Sequence, residues 1–124
     1  MPLPAVIQTN ITIDARNAGV IHDGSSLNEG NGLQISSDDN VVQGMQIQAF
    51  PDSGIRIDND GARNLIGGTD AAAANILLGN RGSWPNGGLT IRGGNNNLVQ
   101  GNRIGVDATG QLVGNRSAGI FLLV

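Results

Sequence analysis

Cysteine, tyrosine and lysine are missing altogether from the 124 residues, and the aromatic side chains amount to one Trp and two Phe. Without cysteine there can be no disulfide and no zinc–thiolate centre, and a cysteine-free chain suits either redox compartment. With so few aromatics, any core has to be thin and built from Ile, Leu and Val. Charge is also scarce. Asp, Glu, Lys and Arg together make up 14% of the chain, the formal net charge is -3, and all seven basic residues are Arg. That balance offers no basic face for nucleic acid. No apolar run approaches the roughly 20 residues of a membrane-spanning helix. Met1 to Ile13 has neither the positive n-region nor the apolar stretch of a signal peptide, so a leader is not expected within this chain.

What the chain has in excess is 20 Gly and 15 Asn, so 35 of 124 positions favour turns over helix interiors. A helical bundle is excluded on that ground, and Ala71-Ala72-Ala73-Ala74 is too short for more than a helical turn. The length fits a single module.

Gly and Asn recur with a period. Gly followed by apolar-x-apolar occurs as Gly32-Leu33-Gln34-Ile35, Gly54-Ile55-Arg56-Ile57, Gly88-Leu89-Thr90-Ile91 and Gly119-Ile120-Phe121-Leu122, with Ile11-Thr12-Ile13 as a copy lacking its Gly. Downstream come Asn40-Val41-Val42-Gln43-Gly44, Asn64-Leu65-Ile66-Gly67-Gly68 and Asn97-Leu98-Val99-Gln100-Gly101, always with Asn and Gly four apart. A third apolar pair follows in Met45-Gln46-Ile47, Ile76-Leu77-Leu78 and Asn102-Arg103-Ile104. Strands of two to four residues cannot stand alone in water. Stacking like positions about 4.8 Å apart pairs each strand in parallel with those above and below and turns alternate aliphatics inward. The expected fold is therefore all-β, a β-solenoid of about four coils with three short parallel sheets. Residues 1–10 form its N-terminal edge and 11–124 its coils. The segment from Asp14 to Ile21 lacks the Asn-to-Gly spacing and reads as an atypical first rung, with Pro2 and Pro4 blunting the edge. Asn40, Asn64 and Asn97 fall at like positions and are expected to form an amide ladder, against the plainer reading of solvated turn residues.

These repeats, above all Asn64 to Thr69, Asn75 to Asn80 and Asn97 to Gly105, resemble the right-handed parallel β-helix repeats of pectate-lyase-like proteins, closest to the repeat arrays of bacterial secreted and surface proteins. The resemblance implies a right-handed coil and a place outside the cell or at its surface. It implies no activity, because that fold hosts lyases, hydrolases, adhesins and inert stalks. The Asn-Thr-Asp, Gly-His-Gly and Arg-Ile-Lys motifs of the family's polysaccharide hydrolases are missing. His22 reads as a turn residue.

Four groups of side chains are candidates for function. Thr12, Gln34, Arg56 and Thr90 lie between paired apolar positions and should point outward as a polar strip, which makes Gln34, Arg56 and Thr90 candidate carbohydrate contacts. Trp84, in the inserted loop Gly82 to Gly87, would either fold back over the sheet edge or stack on a pyranose ring. Asp38, Asp39, Asp58 and Asp60 follow strands of consecutive coils and share a corner, where calcium is one reading and ordinary turn capping the weightier one. No other cofactor is implied. Finally, Ile120, Phe121 and Leu122 begin a coil without a polar cap behind it, so either a longer solenoid or self-association through this open end is expected. The function that emerges is a structural or adhesive module with weak carbohydrate affinity. The alternative is a segment of a polysaccharide lyase or glycoside hydrolase acting on an acidic polysaccharide.

Overall fold

A computed structural model of the chain describes residues 3–123. Pro2 of the expected N-terminal edge and Val124 beyond the last strand lie outside the described residues. The first rung carries β1 (Thr12–Asp14) and β2 (Ile21–Asp23). The next coil holds β3 (Leu33–Ile35), β4 (Val41–Gln43) and β5 (Gln46–Gln48), and the one after it β6 (Ile55–Ile57), β7 (Leu65–Gly67) and β8 (Ile76–Leu78). Then come β9 (Gly87–Arg92), β10 (Leu98–Gln100), β11 (Arg103–Ile104) and β12 (Ala118–Leu123). Like strands stack into three four-stranded sheets, ordered β3-β6-β9-β12, β1-β4-β7-β10 and β2-β5-β8-β11. Every pairing between these strands is parallel. The chain is thus an all-β parallel solenoid of about four coils, and its helix content among the described residues is one 3-10 turn at Ala71–Ala73.

Alternation along each short strand puts every second side chain inside, and parallel stacking then lines like positions into columns. Leu33, Ile55, Leu89 and Ile120 form one, and Ile13, Val42, Ile66 and Val99 another. A third runs from His22 through Ile47 and Leu77 to Ile104. The middle members are fully buried, with Phe50 beside them. Burying an Ile or Leu is worth about 2 kcal/mol, so a rung on its own gains little and the stack gains with every coil added.

Two positions in the first rung differ from the reading of the sequence. Ile11-Thr12-Ile13 is not a further copy in the β3-β6-β9-β12 sheet. It forms β1, which pairs with β4, and Val6 bridges to Ile35 at the head of that other sheet. Apolar-x-apolar triplets occur in all three sheets, so the triplet alone does not say which sheet it joins. Likewise His22 is a strand residue, not a turn residue: in β2 the isoleucine points outward and the imidazole inward, inverting the usual pattern. His22 Nε2 lies 2.9 Å from the Gly32 carbonyl oxygen and its ring sits 4.6 Å from that of Phe50.

At the corners the backbone turns through left-handed conformations. Gly67 has φ +98, and a Cβ on it would run into the carbonyl oxygen of Gln100 one coil away. Only glycine allows that approach.

Candidate functional site

The outer face of the β3-β6-β9-β12 sheet positions most of the candidate residues. Gln34, Arg56, Thr90 and Phe121 stand in register on four successive strands. Asp58, just past β6, collects this face. Its Oδ1 accepts from Ser36 Oγ at 2.6 Å, and its Oδ2 accepts from Gln34 Nε2 at 3.0 Å and Arg56 Nε at 3.2 Å. The Arg56 and Asp58 side chains are only 22% and 14% exposed. The strip is therefore knitted together by its own hydrogen bonds.

Thr90 does not belong to an accessible strip. It is fully buried, with Oγ1 2.7 Å from Ser53 Oγ and accepting from the Gly87 amide at 2.9 Å. Its direction is outward as the alternation requires, but the inserted loop closes over it, with Asn86 Oδ1 accepting from Ser53 Oγ at 3.4 Å. Thr12 also leaves the strip, since β1 lies in another sheet. Trp84, at the crown of that loop, packs edge-on against Phe121 with ring centroids 5.9 Å apart and still exposes 75% of its surface. It is both folded back and presented.

The four aspartates share a corner without sharing a centre. Asp38 and Asp39 face Arg63 from the neighbouring coil, at 3.1 Å to Nη2 and 2.8 Å to Nε respectively, and Asp38 Oδ1 also accepts from the Ala62 amide at 2.8 Å. The Arg63 guanidinium holds the Asp39 carboxyl below its ordinary range and is itself raised by the pair. Asp58 turns the other way, to Arg56, and Asp60 lies against Gly93. Among the described residues, no three side chains of His, Cys, Asp or Glu come together in a group able to hold a metal ion. Three other carboxylates are displaced, among them Asp107, which is lowered by its hydrogen bonds from Thr109 and then Gln111. Asp14 sits at about 2 through its hydrogen bonds from Arg16, and Asp23 at about 2 through those from Ser25 and then Gln48.

Asn40, Asn64 and Asn97 lie over one another. Asn40 donates to Asn64 Oδ1 through both its main-chain N–H and its Nδ2, each at 2.9 Å, and Asn64 donates to Asn97 Oδ1 in the same two ways at 2.9 and 3.1 Å. The Nδ2 groups of Asn64 and Asn97 also reach back to the Ser37 and Gly61 carbonyls. Two further ladders escaped sequence reasoning. Asn75 donates to Asn102 at 3.0 Å at the next corner, and Asn80 to Asn115 at 3.0 Å at the last. The signal existed for the first of them: Asn75 and Asn102 stand immediately before β8 and β11, as Asn40, Asn64 and Asn97 stand before their strands. Asn80 and Asn115 precede their strands by different distances, which hides the match.

Two shallow apolar grooves mark the surface. One, of about 190 Å³, runs along the outer corner between Val20, Ile21, Met45, Gln46, Ala74 and Ile76. The other, of about 310 Å³, lies at the N-terminal end among Pro4, Val6, Ile7 and Ile11. Neither includes a candidate site residue. Comparison with protein-family models, with curated proteins and with solved structures gave no match. The geometry therefore defines the class of the chain, a parallel β-solenoid, and leaves its family to inference.

Proposed function

We propose that the chain is a structural or adhesive β-helix module of a secreted or surface protein, pectate-lyase-like in its repeats, with weak affinity for carbohydrate at the Trp84 rim. The observation that carries this reading is how the polar side chains are used. The corner asparagines bond to one another, Asp38 and Asp39 to Arg63, and Asp58 to Gln34, Ser36 and Arg56. These groups hold the frame. The Trp84 indole is what the outer face still offers, next to Phe121 and at the end of the register that contains Gln34 and Arg56. An exposed indole of this kind stacks on the apolar face of a pyranose ring.

Trp84 is the sole tryptophan, so its fluorescence reports directly on the rim. Titration with oligogalacturonate is expected to give a saturable change that is lost in Trp84→Phe while the circular dichroism stays unchanged. No response to acidic or neutral oligosaccharides would remove the adhesive half of the proposal. Depolymerisation of polygalacturonate, with or without calcium, that is abolished by Asp58→Ala would replace the whole of it with a polysaccharide lyase or glycoside hydrolase segment.

A further inference from the structure

The seven arginines fall into two groups. Arg16, Arg56 and Arg63 are paired with aspartates, and Arg81 is spent on main-chain carbonyls. The side chains of Arg92, Arg103 and Arg116 are exposed and, among the described residues, make neither a hydrogen bond nor an ion pair. What separates these three is their surroundings. Arg103 belongs to the β2-β5-β8-β11 sheet and Arg116 to the corner before β12, whereas Arg92 lies on the outer face that carries Trp84.

Arg92 ends β9, two residues past Thr90 and on the same side of the strand. Its register neighbours are Leu123 one coil on and, one step past the Ile57–Ile91 pair, Asp58 one coil back. A carboxylate so placed would ordinarily capture the guanidinium. Here Asp58 is already engaged by Ser36, Gln34 and Arg56, and Asp60, which lies against Gly93, forms no ion pair with Arg92 either. Trp84 reaches the same face from the other end of the strand, because the loop Gly82 to Gly87 leads into the start of β9. Its indole meets the Phe121 ring at 86°, and at 75% exposure it keeps an aromatic face open to solvent. Phe121 is in register with Thr90. Two residues of strand put Arg92 about 7 Å beyond that level, a step on the scale of a single sugar residue.

We infer that the Trp84 rim takes an acidic glycan, with Arg92 receiving the anionic group of the sugar next to the one stacked on the indole. The inference rests on the reading of Trp84 as the sugar-stacking side chain. An indole alone grips the apolar face of a pyranose and does not distinguish a neutral sugar from a charged one. A guanidinium without a carboxylate partner supplies that distinction, since its planar fork donates two parallel N–H bonds to a carboxylate or, equally, to a sulfate ester. The glycan then lies along β9, and the shortest ligand that engages both side chains is a disaccharide. Arg56 takes no part, because Asp58 holds it.

Trp84 fluorescence reads the test. Wild-type chain is titrated with oligogalacturonate and with its fully methyl-esterified form, which is the same glycan without charge, and with a sulfated galactan oligosaccharide beside its desulfated form. In at least one pair the charged member is expected to bind about tenfold more tightly, with the gap shrinking in high salt. The pair with the larger gap identifies the anion as a carboxylate or a sulfate ester. Arg92→Gln should bring the charged member down to the affinity of its neutral form and leave the neutral form unchanged, while Arg103→Gln, on another sheet, alters neither. The absence of a gap in both pairs, or a gap that survives Arg92→Gln, would overturn the inference and leave the reading of Trp84 standing. No response to any of the four sugars would remove both together. Because the paired titrations use the wild-type chain, they decide the matter even if Arg92→Gln does not fold.

Discussion

Asn64 shows what one side chain does in this fold. It is 1% exposed and takes part in four side-chain hydrogen bonds, two accepted from Asn40 and one donated to each of Ser37 and Asn97. Asn64→Ala would strand the Asn40 amide and the Ser37 carbonyl in a corner that water does not reach. A stranded buried group costs about 1–3 kcal/mol, so the expected loss is about 3 kcal/mol in urea denaturation, against about 1 kcal/mol for Asn97→Ala at the wetter rim. Equal losses would mean that the ladder is no more than a row of turn residues. The exposed carboxylates act more weakly. Asp14 and Asp23 fall from the ordinary 3.8 to about 2 and Asp39 is also lowered, so each binds its proton less readily in the folded chain than in the unfolded one. Their contribution is complete above the unfolded value and disappears as pH falls through the folded one. The thermal midpoint should therefore be level above about pH 5 and decline between about pH 4 and pH 2, less steeply in Asp39→Asn and in high salt. Calorimetry over that range checks the sign, since a midpoint that rises on acidification would contradict it.

Among the connecting elements, the loop after β8 does the most. Arg81 at its start reaches across the ends of earlier coils, with Nε donating to the Ala49 carbonyl at 3.1 Å and Nη2 to those of Leu27 and Gly24 at 3.1 and 3.3 Å. One guanidinium thereby ties together turns that are 54 and 57 residues away in sequence. Lysine has the charge without the planar fork, so Arg81→Lys should lower stability by about 1 kcal/mol in urea, measured beside Arg116→Lys as a control. An unchanged midpoint would place these bonds among surface contacts of no consequence. The same loop explains a difference between sequence and structure. The outward direction of Thr90 was legible from the alternation of Leu89-Thr90-Ile91, but its burial was not, because the cover comes from Ser53 one coil earlier and Asn86 within the insertion.

For the whole molecule, stability accumulates along one axis. Apart from the reach of Arg81, the strands of each coil pair only with those of its neighbours, so the interior coils gain from two interfaces and the outer ones from a single interface. Amide hydrogen exchange should be slowest in β6, β7 and β8 and fastest in β1 and β2. Uniform protection along the axis would point to a single cooperative unit without ends. The same one-dimensional order explains why the repeat was legible. The columns through Leu33, Ile55 and Leu89 and the ladder positions at Asn40, Asn64 and Asn97 repeat because every coil solves the same local problem. His22 and Ile13 face that problem on one side only, and there the pattern loosens.

The composition and spacing by themselves determined that this chain makes short parallel strands with glycine and asparagine at the corners, because no other arrangement buries apolar pairs so brief. Which neighbour each polar side chain meets was decided only by the tertiary structure. Asp38 and Asp39 turn to Arg63 while Asp58 turns to Arg56, and Thr90 lies under a loop while Trp84 stands clear of it. Those outcomes depend on distances between coils and on insertions of unequal length, and a local pattern contains neither.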